Sequence, residues 1–314
     1  MKNVCSIFFF WLFWNSSLYS QRIIEFKYEP DAQGNYQFNC INHAFCNYIL
    51  EVNFTSTENA KPNPLLPYRA EVKPGITKLF KLVKQNPDNP LKFKYAIKYN
   101  KGCINPQVNP DFTYVLPVSP GKEVQAYELL NREKPNPGDP EPKNWYVIRL
   151  RMKPGDTLFA ARRGMVTEVE DQSNLNDSGV ASLGNENYLE IVQGDCSFAR
   201  YGILKKNGSF VKPGQFVEAG TPIALIGGDR FGRGSDAKFS VYYNVEKEDS
   251  AVPANKRLYW AYVSLKFWTK KNGKGMLKHG ASYKSEFPEV IITQEMSKTE
   301  IKNWKAKLRT AKAG

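Results

Sequence analysis

Histidine is scarce in this chain, which has only His43 and His279 among its 314 residues. Because histidine is the commonest general base and a frequent zinc ligand, the scarcity excludes any site that needs three histidines. The five cysteines do not form the paired CxxC spacing of a structural zinc site. Long apolar runs are scarce as well, since only the first twenty residues contain one.

Those twenty residues have the three parts of a secretory signal peptide. Lys2 precedes an apolar core over residues 7–14, and the small residue Ser20 precedes Gln21. The apolar core is shorter than the roughly 20 residues that a membrane-spanning helix needs. We therefore expect residues 1–20 to be removed, leaving a periplasmic or extracellular protein without a transmembrane segment. An uncleaved membrane anchor is the alternative.

Acidic residues are outnumbered, because 44 lysines and arginines face 31 aspartates and glutamates and give a formal net charge of +13. An exported protein of this charge is expected to be attracted to phospholipid headgroups, acidic glycans or wall polymers. We expect no nucleic-acid partner, because no nucleic-acid-binding module is visible. Removal of the signal peptide leaves four cysteines, and the sequence leaves all three of their disulfide pairings open. They are Cys40, Cys46, Cys103 and Cys196.

The remaining chain divides into four predicted parts of an all-β protein. Residues 21–125 contain period-two segments between turn clusters, which is typical of an antiparallel β-sandwich. Residues 126–144 are rich in proline and predict a linker. Residues 145–250 alternate short strands with glycine turns, a pattern that favours a barrel-like sandwich. Residues 251–314 predict a β extension that ends in a short basic helix.

The C-terminal helix is predicted from its cap and its apolar spacing. Ser297 and Glu300 form an S-x-x-E capping box, and Ile301, Trp304 and Leu308 follow at helical spacing. We expect this narrow apolar stripe to pack on the preceding domain. A basic amphipathic helix that lies on a membrane surface is the alternative.

Five stretches of the third part occur in a recognisable order: GDTLFAARRGMVTEV, YLEIV, YGIL, VKPGQFVEAGTPIALIGG and GSDAKFSV. Together they resemble the core of the lysostaphin-like, LytM-type zinc metalloendopeptidases, which cut peptidoglycan cross-links. The resemblance covers about residues 145–243 and implies a LytM-type barrel-sandwich domain. In the family this core holds a catalytic zinc ion through histidine and aspartate side chains.

Every position that carries chemistry in the family pattern departs from it here. The first histidine ligand falls on Trp145, the aspartate ligand on Arg149, and a histidine that assists the reaction on Ile203. The two histidines of the H-L-H motif fall on Asp236 and Lys238. Two like unit charges about 4 Å apart repel each other by roughly 4 kcal/mol at an effective dielectric constant of about 20, and arginine or lysine would repel a dication more strongly. We therefore predict a degenerate member of the family with no metal, no cofactor and no peptidase activity.

The predicted function is recognition at the cell envelope by a pseudoenzyme or regulator of wall hydrolases that binds peptidoglycan or an envelope protein. The alternative is an active cell-wall metalloendopeptidase with an unrecognised ligand set. A basic and aromatic groove suits an acidic peptide, glycan or protein surface. Its candidate residues are Trp145, Arg149, Arg162, Arg163, Tyr201, Arg230, Arg233, Asp236, Lys238 and Tyr242.

Two further expectations concern charges and histidines. Asp236 is expected to pair with Lys238 or Arg149, so that ionic contacts hold the groove together. The alternative is that these residues drifted into ordinary surface charges.

His43 and His279 fall in different predicted domains, away from the glycine-spaced motif, and no nucleophile signature accompanies them.

Overall fold

A computed structural model describes six ranges of the chain: residues 22–61, 67–129, 143–173, 186–227, 235–248 and 256–313. The predicted signal peptide and most of the predicted linker therefore lie outside the described residues. Within these ranges, none of the helices has the length and apolar character needed to cross a membrane.

The N-terminal sandwich contains six antiparallel strands: β1 (Ile24–Pro30), β2 (Tyr36–Asn42), β3 (Tyr48–Glu58), β4 (Tyr68–Val72), β5 (Gly75–Leu82) and β6 (Lys92–Lys101). They form two three-stranded sheets, in the orders β1-β2-β5 and β4-β3-β6. Aromatic rings dominate the shared core, where Phe38 stacks on Phe80 with 4.8 Å between ring centroids. The predicted antiparallel β-sandwich is confirmed.

The second body contains fifteen further strands: β7 (Thr113–Val115), β8 (Glu123–Glu128), β9 (Ile148–Met152), β10 (Thr157–Phe159), β11 (Gly164–Glu170), β12 (Tyr188–Val192), β13 (Phe198–Gly202), β14 (Leu204–Ser209), β15 (Phe216–Val217), β16 (Pro222–Ile226), β17 (Ser235–Glu248), β18 (Lys256–Tyr262), β19 (Lys266–Thr269), β20 (Gly273–Gly275) and β21 (Ser282–Lys284). Eight strands run β15-β11-β12-β13-β17-β9-β8-β21, and β18 pairs with β17 to complete a nine-stranded sheet. Two small sheets, β10-β16-β14 and β20-β19-β7, accompany it.

One face of the nine-stranded sheet packs into the main hydrophobic core, which includes Ile148, Leu150 and Phe239. The opposite face is called the outer face here. Alternation along β17 places Ala237 and Phe239 in the core and Asp236 and Lys238 on the outer face. This is the predicted all-β architecture.

The boundary between the two bodies comes earlier than the predicted domain limits. Strands β7 and β8 fall within residues 113–128, partly in the predicted sandwich and partly in the predicted linker. Val124 and Ala126 of β8 are nevertheless buried in the main core beside β9. Their burial assigns β8 to the second body, because a linker would leave these side chains in solvent.

Glycine has two different roles in the glycine-spaced motif. Gly214 and Gly220 adopt φ values of 85° and 79°, the left-handed conformation expected at turns. Gly164 is required for a different reason, because a Cβ atom there would lie 2.3 Å from the carbonyl oxygen of Val192 on β12.

Two helices close the chain, α1 (Glu289–Ile292) and α2 (Lys298–Ala313). The predicted capping box is confirmed: the Ser297 amide donates to Glu300 at 2.7 Å, and the Glu300 amide donates to the Ser297 hydroxyl at 3.3 Å. Ile301 and Trp304 pack in a small apolar cluster with α1, as the stripe predicts. Leu308, the third member of the stripe, remains 42% exposed.

The sandwich and the second body meet at a buried charge cluster. The Lys101 Nζ atom of β6 lies 2.6 Å from carboxylate oxygens of both Glu168 and Glu190, on the outer face of the large sheet. A disulfide between Cys103 and Cys196 joins the same two bodies. It resolves the pairing that the sequence left open, and Cys40 and Cys46 remain buried free thiols in the sandwich. We call this contact region, with Lys101, Glu168 and Glu190 at its centre, the seam.

Opposite charges at the seam stabilise each other's ionised forms. Burial lowers the pKa of Lys101, but the attraction of Glu190 and Glu168 more than offsets burial, so that the net pKa is raised. Burial raises the pKa of Glu168, and the charge and hydrogen bond of Lys101 reverse that effect. Lys101 and Glu168 are therefore both ionised at neutral pH.

Substituting Lys101 tests how strongly the seam depends on its cation. We expect Lys101→Met to lower the free energy of unfolding by about 3 kcal/mol, because the buried Glu190 carboxylate and the partly exposed Glu168 carboxylate would lose their shared partner. The measurement is urea denaturation, with Lys98→Met on the exposed face of β6 as the control. A Lys101 variant no less stable than the Lys98 variant would contradict this prediction.

The cap of α2 predicts a pH dependence. The pKa of Glu300 is lowered to about 2 by a hydrogen bond from Arg163 and further hydrogen bonds from Ser297. An unfolded glutamate titrates near about 4.3. The stabilisation is therefore complete above that pH and is lost as the pH falls toward 2.

We expect the melting temperature of the unaltered protein to fall more steeply below about pH 5 than that of Glu300→Gln, which lacks the titrating group. Thermal denaturation across this pH range is the measurement. Glu29→Gln, at an exposed position on β1, is the control and should keep the steep dependence.

Candidate binding site

The register of β9 and β17 brings two of the predicted ligand positions, Arg149 and Lys238, side by side. Arg149 lies directly opposite Lys238, and Arg151 lies directly opposite Asp236. Because side chains at i and i+2 share a face of a strand, all four lie on the outer face of the sheet. Adjacent positions of an antiparallel pair bring their Cβ atoms to within about 5.5 Å of each other.

Ion pairs connect these side chains. The Arg151 Nε atom donates to Asp236 Oδ1 at 3.0 Å, and Arg149 Nη2 lies 3.6 Å from Asp236 Oδ2. Lys238 Nζ lies 2.7 Å from Glu186 Oε2. Asp236 therefore pairs with Arg149, as one half of the prediction stated. Lys238 is paired with Glu186 instead. These five residues are called the Arg–Lys site.

Donor groups of the Arg–Lys site remain available to a ligand. The side chains of Arg149 and Arg151 are 36% and 45% exposed, whereas the Asp236 side chain between them is only 12% exposed. Each guanidinium carries five N–H donors, of which one carboxylate satisfies only a few. Within the described part of the chain, the buried Nε atom of Arg149 has no hydrogen-bond partner.

An aromatic side chain extends the site toward the edge of the sheet. Tyr127 of β8 lies opposite Arg149, and the Arg151 guanidinium lies over its ring, 5.2 Å from the centroid. The ring of His279 packs edge-on against Tyr127 with 5.5 Å between centroids. His279 was predicted to lie away from the glycine-spaced motif, and Tyr127, which it contacts, is outside that motif. His43 lies in the sandwich, 3.0 Å from Glu25.

The Arg–Lys site does not fit a zinc ion. Zinc needs about three nitrogen, sulfur or carboxylate ligands with free lone pairs, and protonated arginine and lysine offer none. The two carboxylates of the site, Asp236 and Glu186, are already paired with cations. In the described ranges, no group of three or more histidine, cysteine, aspartate or glutamate residues is placed to hold a metal ion.

Three other candidate residues have structural surroundings of their own. The Trp145 indole donates to the Leu129 carbonyl at 3.1 Å. Ile203 adopts a φ of 66°, which is uncommon for a β-branched residue. Tyr201 points into the core, where its hydroxyl accepts a hydrogen bond from the Ala161 amide at 2.8 Å.

Tyr242 lies on the outer face but beneath the sandwich. Its ring stacks on Phe198 with 6.0 Å between centroids, and its hydroxyl donates to Glu190 at the seam. Burial and the neighbouring Glu190 carboxylate raise its pKa well above the usual value. Tyr242 is therefore part of the seam and is not exposed to a ligand in the groove.

Arg162 and Arg163 hold the C-terminal segment against the second body. Arg162 Nη1 lies 2.6 Å from Asp195, and its Nη2 lies 2.6 Å from Glu295. Arg163 Nη2 lies 2.7 Å from Glu300 of α2. These partners place both arginines outside the Arg–Lys site. The remaining candidates, Arg230 and Arg233, lie outside the described residues.

Sequence analysis did not identify Arg151, Glu186 or Tyr127. Arg151 could have been predicted from the sequence, because polar and apolar residues alternate in Arg149–Leu150–Arg151 and this places both arginines on one face of a strand. No local sequence pattern indicates Glu186 or Tyr127, since both reach the site through contacts between distant parts of the chain.

A family model decides what kind of domain carries this site. Residues 143–253 match the model of peptidase family M23, which is less than half of the chain. Residues 143–253 are therefore similar to this family, and we call them the M23 domain. Among curated proteins, none matches the chain significantly.

Solved structures similar to this chain include M23-type peptidases. Lysostaphin from Staphylococcus simulans is 18% identical, with 43% of this chain and 44% of that chain covered and a TM-score of 0.26. Csd3 from Helicobacter pylori is 14% identical, with 74% and 76% covered and a TM-score of 0.29. A zinc-containing peptidase from Vibrio cholerae is 16% identical, with 70% and 75% covered and a TM-score of 0.30.

The chain spans only 40% of the length of lysostaphin in its solution structure. Because all these TM-scores are low, the assignment of the M23 domain depends on the family model and on the quoted motifs.

The donor set of the M23 domain predicts the result of a zinc titration. We expect the purified protein, incubated with zinc and then desalted, to retain less than one zinc ion per chain, because paired arginine and lysine side chains occupy the ligand positions. Elemental analysis by mass spectrometry is the measurement. One retained zinc ion per chain that disappears in Asp236→Asn would show that the site binds metal.

Proposed function

We propose that this chain is an exported, non-catalytic M23-type protein that binds an anionic cell-envelope ligand, either peptidoglycan or an envelope protein. The observation that carries the proposal is the Arg149–Lys238 pairing at the positions of two family metal ligands. Two cations facing each other favour an anion as strongly as they disfavour a metal ion. The site is therefore suited to recognition.

The balance of charge in the site supports an acidic ligand. Among the residues that the structure describes, three cationic side chains, Arg149, Arg151 and Lys238, are paired with two carboxylates, Asp236 and Glu186. The guanidinium groups of Arg149 and Arg151 are partly exposed, and their planar donors match a carboxylate. A ligand carboxylate would satisfy donors that Asp236 leaves unused.

Tyr127 supplies the apolar part of the proposed ligand site. Its ring lies beneath the Arg151 guanidinium and beside His279, at the open side of the sheet. Aromatic faces pack against the apolar faces of sugars and against cations. A glycan or peptide strand laid along β8 and β9 would therefore contact both charge and ring.

Export is supported by the sequence and by a covalent bond. The Cys103–Cys196 disulfide joins residues 93 positions apart and belongs to an oxidising compartment. A disulfide at the seam would also keep the sandwich attached to the M23 domain outside the cell. We propose a periplasmic or extracellular location, in agreement with the predicted signal peptide.

Retention on isolated peptidoglycan tests the proposal. We expect residues 21–314 to co-sediment with peptidoglycan and to release no muropeptides, because the site holds no metal ligands. The double variant Arg149→Gln and Arg151→Gln should reduce retention about tenfold, the effect of losing roughly 1.4 kcal/mol of binding free energy.

Lys73→Gln combined with Lys78→Gln removes the same charge from exposed positions of the sandwich and should leave retention unchanged. Urea denaturation of both double variants confirms that each is folded. Released muropeptides together with bound zinc would establish the metalloendopeptidase instead. Absence of retention in the unaltered protein would direct the search to an envelope protein as the ligand.

A further inference from the structure

Positive charge is concentrated in the last part of the chain. Residues 256–313 contain 14 lysines and arginines and only four acidic residues, which accounts for ten of the thirteen net positive charges. Twelve of the fourteen are lysines. The Arg–Lys site lies before this segment in the chain and uses none of these charges.

A cleft lies within this lysine-rich segment. It has a volume of about 380 Å³ and opens between the β19–β20 hairpin and β21. Thr269, Asn272, Lys278 and Ser282 contribute polar groups to its lining, and no acidic side chain lines it. Met276, also in the lining, is 48% exposed. We call it the hairpin cleft.

Lysines flank the hairpin cleft. Lys270 and Lys271 form the turn between Thr269 and Asn272, Lys278 lines the cleft, and Lys284 ends β21. The Lys270 amide donates to the Lys284 carbonyl at 3.2 Å, which brings the two ends of the flank together. All four lysines are exposed.

These four lysines differ from their neighbours in having no counter-ion. Lys266 and Lys274 are both paired with Asp111, at 2.5 Å and 2.6 Å. Among the residues that the structure describes, Lys270, Lys271, Lys278 and Lys284 make no ion pair. Several unpaired ammonium groups around a concave surface create a positive potential that concentrates anions.

We propose that the hairpin cleft is a second binding site and that its ligand is a phosphate group. Lysine ammonium groups bind phosphate as compact point charges, whereas the planar fork of arginine matches carboxylates. The cleft offers lysines, with the Asn272 amide and the Ser282 hydroxyl to fix orientation. Phosphate of this kind occurs in a phosphate-bearing polymer or in a phospholipid headgroup.

This site goes beyond the function proposed for the Arg–Lys site. Between them lie Tyr127 and His279, which contact each other at the edge of the sheet. Variants of the cleft change no residue of the Arg–Lys site. A failure of the phosphate-binding test would therefore leave the result for peptidoglycan retention unchanged. A failure of peptidoglycan retention would likewise leave the phosphate-binding result unchanged.

The test compares two variants of equal net charge. The cleft variant combines Lys271→Gln with Lys278→Gln, and the control combines Lys205→Gln with Lys206→Gln on exposed positions of β14. Both full-length chains are titrated with inorganic polyphosphate, and with phosphatidylcholine vesicles with and without phosphatidylglycerol. We expect the cleft variant alone to bind about tenfold more weakly.

Ser282→Trp separates the cleft from diffuse attraction by lysines. This substitution would fill the cleft at an exposed position of β21 and leave the charge unchanged, so binding should fall as in the cleft variant. Selective loss of polyphosphate binding identifies a soluble polymer as the ligand source, and selective loss of vesicle binding identifies a lipid headgroup. Equal loss in the cleft variant and the control, no binding by the unaltered protein, or full binding by Ser282→Trp would overturn the proposal.

Discussion

The arrangement of the two bodies depends on one buried cation. Lys101 of the sandwich inserts its ammonium group between Glu168 and Glu190 on the outer face of the M23 sheet. The fully buried Glu190 carboxylate and the largely buried Lys101 ammonium lose most of their hydration, so each is stable there only while the other stays beside it. The seam therefore fixes which part of the outer face the sandwich covers. What it leaves uncovered is the Arg–Lys site.

Strand β17 shows how this division creates the site. Asp236, Lys238 and Tyr242 point to the same face of the same strand, yet they have different surroundings. Tyr242 lies under the sandwich and bonds to Glu190, whereas Asp236 and Lys238 lie beyond its edge. The M23 domain thus presents only the first half of β17, together with β8 and β9, to a ligand. The chemistry of this half is set by Arg149 and Lys238.

Much of the fold was predictable because alternation along a strand reports directly which side is buried. The period-two stretches gave β3 and β6, the S-x-x-E spacing gave the cap of α2, and the glycine spacing gave the turns of the M23 domain. The motif positions also led to the expectation that Asp236 pairs with Lys238 or Arg149, and the structure pairs it with Arg149. These features are local, or depend on a family pattern with fixed spacing.

The candidate site was less predictable because its members are chosen by long-range packing. Arg162 and Arg163 were predicted to lie in the groove, but their partners Glu295 and Glu300 come from the far end of the chain. Cys103 and Cys196 pair only because the sandwich and the M23 domain meet at the seam. No local pattern contains that information. The counter-ion of Lys238, Glu186, was hidden for the same reason.

The ion pairs of the Arg–Lys site also oppose single substitutions that would turn the site into a metal-binding site. Replacing Arg149 by an acidic residue would place a second carboxylate beside Asp236, while Arg151 alone remained to balance both. Replacing Lys238 by histidine would leave Glu186 without its cation at neutral pH. Each of these two steps toward a metal centre thus breaks an ion pair before any ligand set is complete. The route back requires several simultaneous substitutions.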